Sequence, residues 1–407
     1  MMKRAPHCVV LLILLLAVLP EWLAAQSIYS RRGIGLIRYR DEAKALGMGG
    51  VSLAIADSVS IYLLNPATMA SITTTHIQGG FLYDRTSFAR QGSNSSFQDA
   101  NVSSVSLLLS LKRGYTFAFG LQPYSRVEYA FRGKGATDST QYEESLVGSG
   151  GLDNAYIALG ATLGRFRLGV AGDFYFGLIE RTWEVRHANS LYRSTKDAIT
   201  IKLGGFGMHG GVQTQIGNWE AGAVFSLPVQ LSTEISHYPQ FDDDRLVLFS
   251  RTVELPAWFG AGVGYHPNPH WLLAAQWRRQ QWGKVDPDKL LDAQGVNANH
   301  FGLGVEVMPS RDPLEGFFKR LQYRAGFTLS ELPYREPAGA NDLRKLSEWT
   351  VTGGVGLPFN RGFSRIDFAI EFGARGVEAG NLTREKIFRF SAAVSGSERW
   401  FQRRNRN

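Results

Sequence analysis

The residues able to do chemistry are few and scattered. Gly205-Phe206-Gly207-Met208-His209-Gly210 matches G-x-G-x-x-G. That pattern holds a dinucleotide only between the strand and the helix of a βαβ unit. Here it falls inside a glycine-alternating strand, where glycine on an inward face leaves room for something packed against it. His187, His209, His237 and His300 are isolated in sequence, so a metal cluster or a serine–histidine dyad would have to assemble in three dimensions. Asp242-Asp243-Asp244 presents carboxylate oxygens of the kind calcium takes, though a solvated acidic loop tip is the simpler reading. No H-E-x-x-H, G-x-S-x-G or phosphate-loop sequence occurs. The expectation is a protein that is not an enzyme, with no catalytic residue, no metal and no cofactor.

Composition narrows the class further. Lys and Arg number 44 against 36 Asp and Glu, a formal net charge of +8. The arginines are spread singly along the chain and form no block, which argues against nucleic acid as a partner. Lys3 and Arg4 precede an apolar run from Cys8 to Leu19, then Pro20 and Leu23-Ala24-Ala25. That order is a secretory signal peptide, residues 1–25, with cleavage before Gln26. The run is shorter than the roughly 20 residues a membrane-spanning helix needs. Cys8, the only cysteine, falls within it, so disulfides, thiolate metal sites and a cysteine nucleophile are all removed.

What must position the remaining side chains is a long series of strands. From about His76 the dominant period is two. Ile366, Phe368, Ile370 and Phe372 alternate with Arg365, Asp367, Ala369 and Glu371, and Tyr115, Phe117, Phe119 and Leu121 alternate with Thr116, Ala118, Gly120 and Gln122. Successive strand residues point to opposite faces, so each segment has one oily face and one polar or small face. A soluble sandwich would share this alternation; the connections separate the two. Short gaps near 112–114, 163–165, 216–218, 266–269 and 358–362 alternate with long ones at 89–100, 132–145, 187–196, 236–246, 283–296, 331–347 and 376–383. Short periplasmic turns and long extracellular loops mark an outer-membrane barrel. Only Pro309–Lys319 is long where a short turn is due, and its Phe317 and Phe318 suit a membrane interface. Counting between gaps predicts an all-β, closed antiparallel transmembrane barrel of about 14 strands over residues 76–398, with a basic periplasmic tail at 399–407. Tyr115, Trp219, Trp271, Trp277, Trp282, Trp349 and Trp400 are expected in the aromatic girdles.

Residues 26–75 do not read as a strand pair. They carry Ala43, then Leu46-Gly47-Met48-Gly49-Gly50, then Ala54-Ile55-Ala56-Asp57, then Asn65-Pro66-Ala67. Gly47, Gly49 and Gly50 allow close backbone packing, and Asn65-Pro66 favours a turn. Asp41, Glu42, Lys44 and Asp57 are candidates to pair with Arg365, Arg324 or Arg389. In these blocks and their spacing the chain resembles the FadL family of outer-membrane transporters for hydrophobic compounds. The stretch Ile366–Phe401 is similar to the branch found in Bacteroidetes-like bacteria, which is related to PorV-type proteins. Two departures stand out: Thr68 follows Asn-Pro-Ala, and Ser58 follows Ala56-Asp57.

The resemblance implies that residues 26–75 form a hatch plugging the lumen. Gly47, Met48, Gly49, Gly50, Asp57, Asn65, Pro66 and Ala67 are the hatch and gating candidates, and no ligand-binding residue can be carried over. It further implies passive uptake of long-chain-fatty-acid-like molecules, with hatch movement as the gate and lateral release into the outer membrane. Leu108, inward by parity, is one apolar residue available to such a ligand. The alternative is a PorV-like barrel that binds a protein as shuttle or scaffold in type IX secretion; it calls for a lumen fully blocked by hatch and side chains. Expected partners are therefore outer-membrane lipids, a hydrophobic small molecule, and in the alternative a secretion-system protein.

Overall fold

The computed structural model of the protein describes residues 27–38, 42–90, 93–111, 114–136, 140–238, 246–312 and 314–398. The expected signal peptide 1–25, Asp41, Asp242–Asp244, Trp400 and the tail 399–407 lie outside the described residues. The strands are β1 (Leu36–Ile37), β2 (Thr75–Arg90), β3 (Ser93–Ser110), β4 (Tyr115–Arg126), β5 (Tyr129–Ala136), β6 (Gln141–Leu163), β7 (Phe166–His187), β8 (Thr195–Ile216), β9 (Trp219–Ser226), β10 (Val229–Tyr238), β11 (Leu246–Leu255), β12 (Trp258–Asn268), β13 (Trp271–Gln280), β14 (Ala298–Val307), β15 (Gln322–Pro337), β16 (Leu343–Phe359), β17 (Ser364–Arg375) and β18 (Glu385–Glu398).

All eighteen belong to one antiparallel sheet. β18 pairs with β2 from Lys386↔Ser87 to Glu398↔Thr75, which closes the wall. β5, β10 and β11 continue β4, β9 and β12 beyond breaks at residues 127–128, 227–228 and 256–257, and β1 lies inside, so fourteen strands make the barrel. Closure joins the first and last wall strands, so the sheet leaves no free outer edge to lipid.

The outer face reads as period two predicts. Ile157, Leu159, Phe166, Leu168, Val170 and Met208 all point outward and exposed. The band ends in an aromatic cluster: Phe174 lies 5.6 Å from Phe176 and 4.8 Å from Phe206 between ring centroids. Beyond it the same face turns to exposed Glu180 and Lys202. Tyr115, Trp219 and Trp271 are exposed at the first residues of β4, β9 and β13, and Trp349 is exposed within β16.

Several of the expected long loops are strand instead. β2 and β3 run to Arg90 and from Ser93, through most of 89–100, and β6 begins at Gln141. β6, β7 and β8 span 23, 22 and 22 residues, where crossing a bilayer takes about 9–11. The excess is roughly 35 Å of strand at about 3.3 Å per residue, or about 25 Å of height above the band at a tilt of about 45°. With β5, β10 and β11 it forms a six-stranded extracellular palisade. In water both faces of a strand can be polar, so Ser95-Ser96-Phe97-Gln98-Asp99-Ala100 carries no alternation to read.

The inner face of that palisade is covered. Tyr124, Tyr175, Leu231, Val253, Trp282 and Tyr334 belong to one buried apolar cluster at the extracellular mouth. Trp282, expected in a girdle, is 1% exposed there, edge-on to Tyr334 with centroids 5.3 Å apart. The segment after β13 folds back over the lumen and carries it inward.

Candidate functional site

The lumen is the one place where the sequence-derived candidates converge. Residues 42–72 run through it almost wholly buried, gripped by the wall in two ways. The first is a girdle of lumen-facing glycines. A Cβ on Gly169 would land on the Pro66–Ala67 peptide, one on Gly222 on Leu53–Ala54, one on Gly304 on Met48, and one on Gly326 on Met48–Gly49. Gly354 and Gly47 meet backbone to backbone, 3.1 Å from a Cβ position to Cα. Within Gly205–Gly210 none makes this contact; the neighbouring Gly211 does, against Asn65.

The second grip is wall side chains bonding the segment's backbone. Gln276 accepts from Ser52 N at 2.9 Å and Leu53 N at 3.2 Å and donates to the Gly50 carbonyl. Glu220 accepts from Ala56 N at 2.9 Å, and Gln213 donates to Ala54 O at 3.0 Å. Thr352 accepts from Gly49 N at 3.1 Å. Gly49 and Gly50 hold φ of 67° and 71°, a region that penalises any Cβ. Asn65 caps the short helical turn Pro66–Ser71: its Oδ1 accepts from Ala67 N at 3.1 Å, and its Nδ2 donates to Leu53 O at 2.7 Å. Met48 is 1% exposed and packs on Leu272 and Ala274 of the wall. Leu108 faces inward as expected, but Ile61, Leu63, Met69 and Ile72 cover it, so no ligand reaches it here.

Charge completes the seal. Lys44 lies 2.9 Å from Asp57 and 3.3 Å from Glu306. Arg324 lies 2.6 Å from Glu306 and 2.5 Å from Asp367. Arg365 lies 2.8 Å from Asp367 and 2.8 Å from Asp57. Three cations and three anions thus alternate around a closed ring, two from the internal segment and four from β14, β15 and β17, none more than 13% exposed. Taking such groups out of water costs several kcal/mol each, recovered only while every partner is in place. Of the anticipated pairs, Asp57–Arg365 forms. Glu42 and Arg389 go elsewhere: Glu42 accepts from Ser104 at 2.8 Å, and burial pushes its carboxyl up to about 7.

Beside the ring lies a cavity of about 130 Å³, lined among others by Glu42, Asp84, Glu348, Glu371, Arg375 and Arg389. Arg389 meets Asp84 at 3.0 Å and Glu348 at 2.8 Å, and Arg375 meets Glu348 at 2.6 Å and Glu385 at 3.0 Å. These groups suit water, but they share the wall with Leu36, Ile37, Leu46, Leu82 and Leu332. The volume is below the roughly 300 Å³ at which small-molecule pockets begin. On one side the cavity reaches a seam. The β3–β4 ladder stops at Val105↔Leu121, while β4 stays paired with β6 as far as Arg126↔Gly151. Two residues past the last β3 pair sits Pro123, which has no N–H to give a ladder. β1 fills the vacated edge, pairing Leu36↔Arg126 and Ile37↔Ser125.

A buried His–Asp contact forms a further clamp that sequence reading did not find. His209 Nδ1 lies 2.6 Å from Asp173 Oδ2, and Nε2 lies 3.1 Å from the carbonyl of Leu63. Asn154 donates to the other Asp173 oxygen at 2.8 Å. His209→Leu removes both ring contacts, with an expected loss of about 2–3 kcal/mol, the scale of hydrogen bonds to charged groups. The check is the urea midpoint of detergent-solubilised protein at unchanged slope; an unmoved midpoint would show that the ring does not hold the segment. His187 and His237 lie far away at the palisade, where His237 is 3.3 Å from Asp197. Among the described residues no three His, Asp or Glu side chains are placed to share a metal ion.

Fold and lumen together define the class: a closed fourteen-stranded antiparallel β-barrel with a segment of its own chain packed through the lumen. The chain belongs to the BamG family, whose model matches residues 1–407. The PorV-related branch suggested by residues 366–401 rests on that stretch alone. No curated protein sequence matches the chain. Among solved structures it is similar to a Pseudomonas aeruginosa FadL homologue, at 14% identity and TM-score 0.61 over 89% of this chain and 99% of that one. It is also similar to the Ralstonia pickettii toluene transporter TbuX, at 13% identity and TM-score 0.58 over 88% and 98%. The P. putida toluene transporter TodX matches at 16% identity and TM-score 0.57 over 90% and 100%. At these identities the likeness is one of fold.

Proposed function

We propose that this chain is a sealed barrel on the hydrophobic-channel architecture, and that it works in the outer membrane by binding a protein partner. One observation carries this reading: among the described residues the lumen is filled at its mouth and at its centre. Its mouth is filled by the cluster around Trp282 and Tyr334. Its centre is closed by the six-charge ring. The remaining cavity is small, and the charged groups of Asp84, Glu348, Arg375 and Arg389 stand in its wall between apolar side chains. The palisade of β5, β6, β7, β8, β10 and β11 supplies a tall surface for a partner outside the bilayer.

The second reading is passive uptake of hydrophobic small molecules, with residues 26–75 as a moving hatch and lateral release. The seam between β3 and β4, closed only by β1, favours it, and so does the fold shared with channels named for toluene. One experiment separates the two. The barrel is extracted gently from its own membrane for native mass spectrometry, then reconstituted in liposomes with radiolabelled oleate or toluene outside. A stoichiometric protein partner and no flux above protein-free liposomes are expected. Release of a bound apolar molecule together with saturable flux would overturn the scaffold reading in favour of uptake.

A further inference from the structure

The connection between β14 and β15 is unlike the other turns at its end of the barrel. Gly164-Arg165 and Gly217-Asn218 need two residues, whereas this one runs from 308 to 321 and carries a helical turn, Phe317–Arg320. It exposes Leu314 at 92% and Phe318 at 73%, with Phe317 half exposed. Yet it is built and held. Ser310 N donates to Lys319 O at 2.8 Å, Leu314 N to Asp312 at 2.9 Å, and Arg311 to Pro269 O of the neighbouring turn at 2.9 Å. The two phenylalanine rings meet edge to face at 5.4 Å. An apolar knob ordered by its own hydrogen bonds and left uncovered is a surface made for an occupant.

Its position says which one. Tyr323 begins the lipid-facing row of β15, followed on the same face by Phe327 and Leu329, all exposed. The Tyr323 hydroxyl donates to the carbonyl of Phe318 at 2.9 Å. The knob is therefore fastened to the lower rim of the lipid-facing band and continues it. Arg311, Lys319 and Arg320 bring cations to the same turn, against Asp312 and Glu315. Lys319 lies 3.1 Å from Glu315, and exposed apolar side chains beside basic ones in one turn are the chemistry of an interfacial anchor.

We propose that Leu314, Phe317 and Phe318 form an anchor seated in the periplasmic leaflet, with the basic side chains at the phospholipid headgroups. The anchor sets the depth of the barrel and does not depend on what the barrel binds or passes. The test uses nitroxide labels on single cysteines in a Cys8→Ser background, in liposomes of phosphatidylethanolamine and phosphatidylglycerol. Labels at Leu314→Cys and Phe318→Cys are compared with lipid-facing Phe301→Cys and turn residue Arg361→Cys. Access to a water-soluble nickel complex is expected to be several-fold lower at 314 and 318 than at 361, with oxygen access rising toward that at 301. Labels as open to nickel as the one at 361 would overturn the anchor and make the knob a docking surface for a periplasmic protein.

Discussion

Asp57→Ala is expected to release the internal segment, raising its accessibility by more than a hundredfold. The carboxylate bridges Lys44 and Arg365, so its loss leaves three cations facing two anions in a site screened from water. Breaking one partner out of a buried ion network costs about 3–5 kcal/mol, and each 1.4 kcal/mol is about tenfold in an equilibrium constant. Met69, 2% exposed on the segment's far end, reports the effect as Met69→Cys in the Cys8→Ser background. Its alkylation rate under native conditions follows the opened population. The pairwise control is Asp57→Ala with Lys44→Met, which restores neutrality in the ring and should recover part of the loss. If alkylation in Asp57→Ala stays within threefold of the parent, the ring is not what holds the lumen shut.

Gly326→Val is expected to expel the same segment by shape alone. Its Cβ would fall on the backbone of Met48 and Gly49, which is pinned from other sides by Gly304 and by the hydrogen bond to Thr352. Overpacking a filled site costs typically 1–3 kcal/mol and occasionally more. The upper end applies, because a backbone clamped on several faces cannot rotate away as a side chain would. Gly79→Val is the matched control: its Cβ meets nothing within 4 Å, and valine suits a lipid-facing strand position. Both proteins should fold as barrels, shown by slower gel migration after heating. Stable conductance steps in planar bilayers should appear only with Gly326→Val. Steps of equal size from both, or from neither, would mean that the glycine girdle is not a fitted socket.

Much of this protein is readable along the chain. A closed barrel follows from period two and from short and long connections in turn, because which face a strand residue takes is a local property. The internal segment is visible in the Leu-Gly-Met-Gly-Gly and Asn-Pro-Ala blocks, whose glycines and turn residues answer to local backbone needs. Alternation failed above the bilayer, where water meets both faces, so β6, β7 and β8 run on through what reads as loop, and Trp282 turns inward. What only the tertiary structure decided is pairing at long range. Asp57 and Arg365 are 308 residues apart, and Arg324 meets Asp367 across 43. Their contact depends on the register of fourteen strands and the path of a segment through their centre. The alternating sequence marks each of these residues as inward and polar; it cannot say that three cations and three anions close one ring. That closure, along with the glycines pressed against a threaded backbone, makes the lumen a seal.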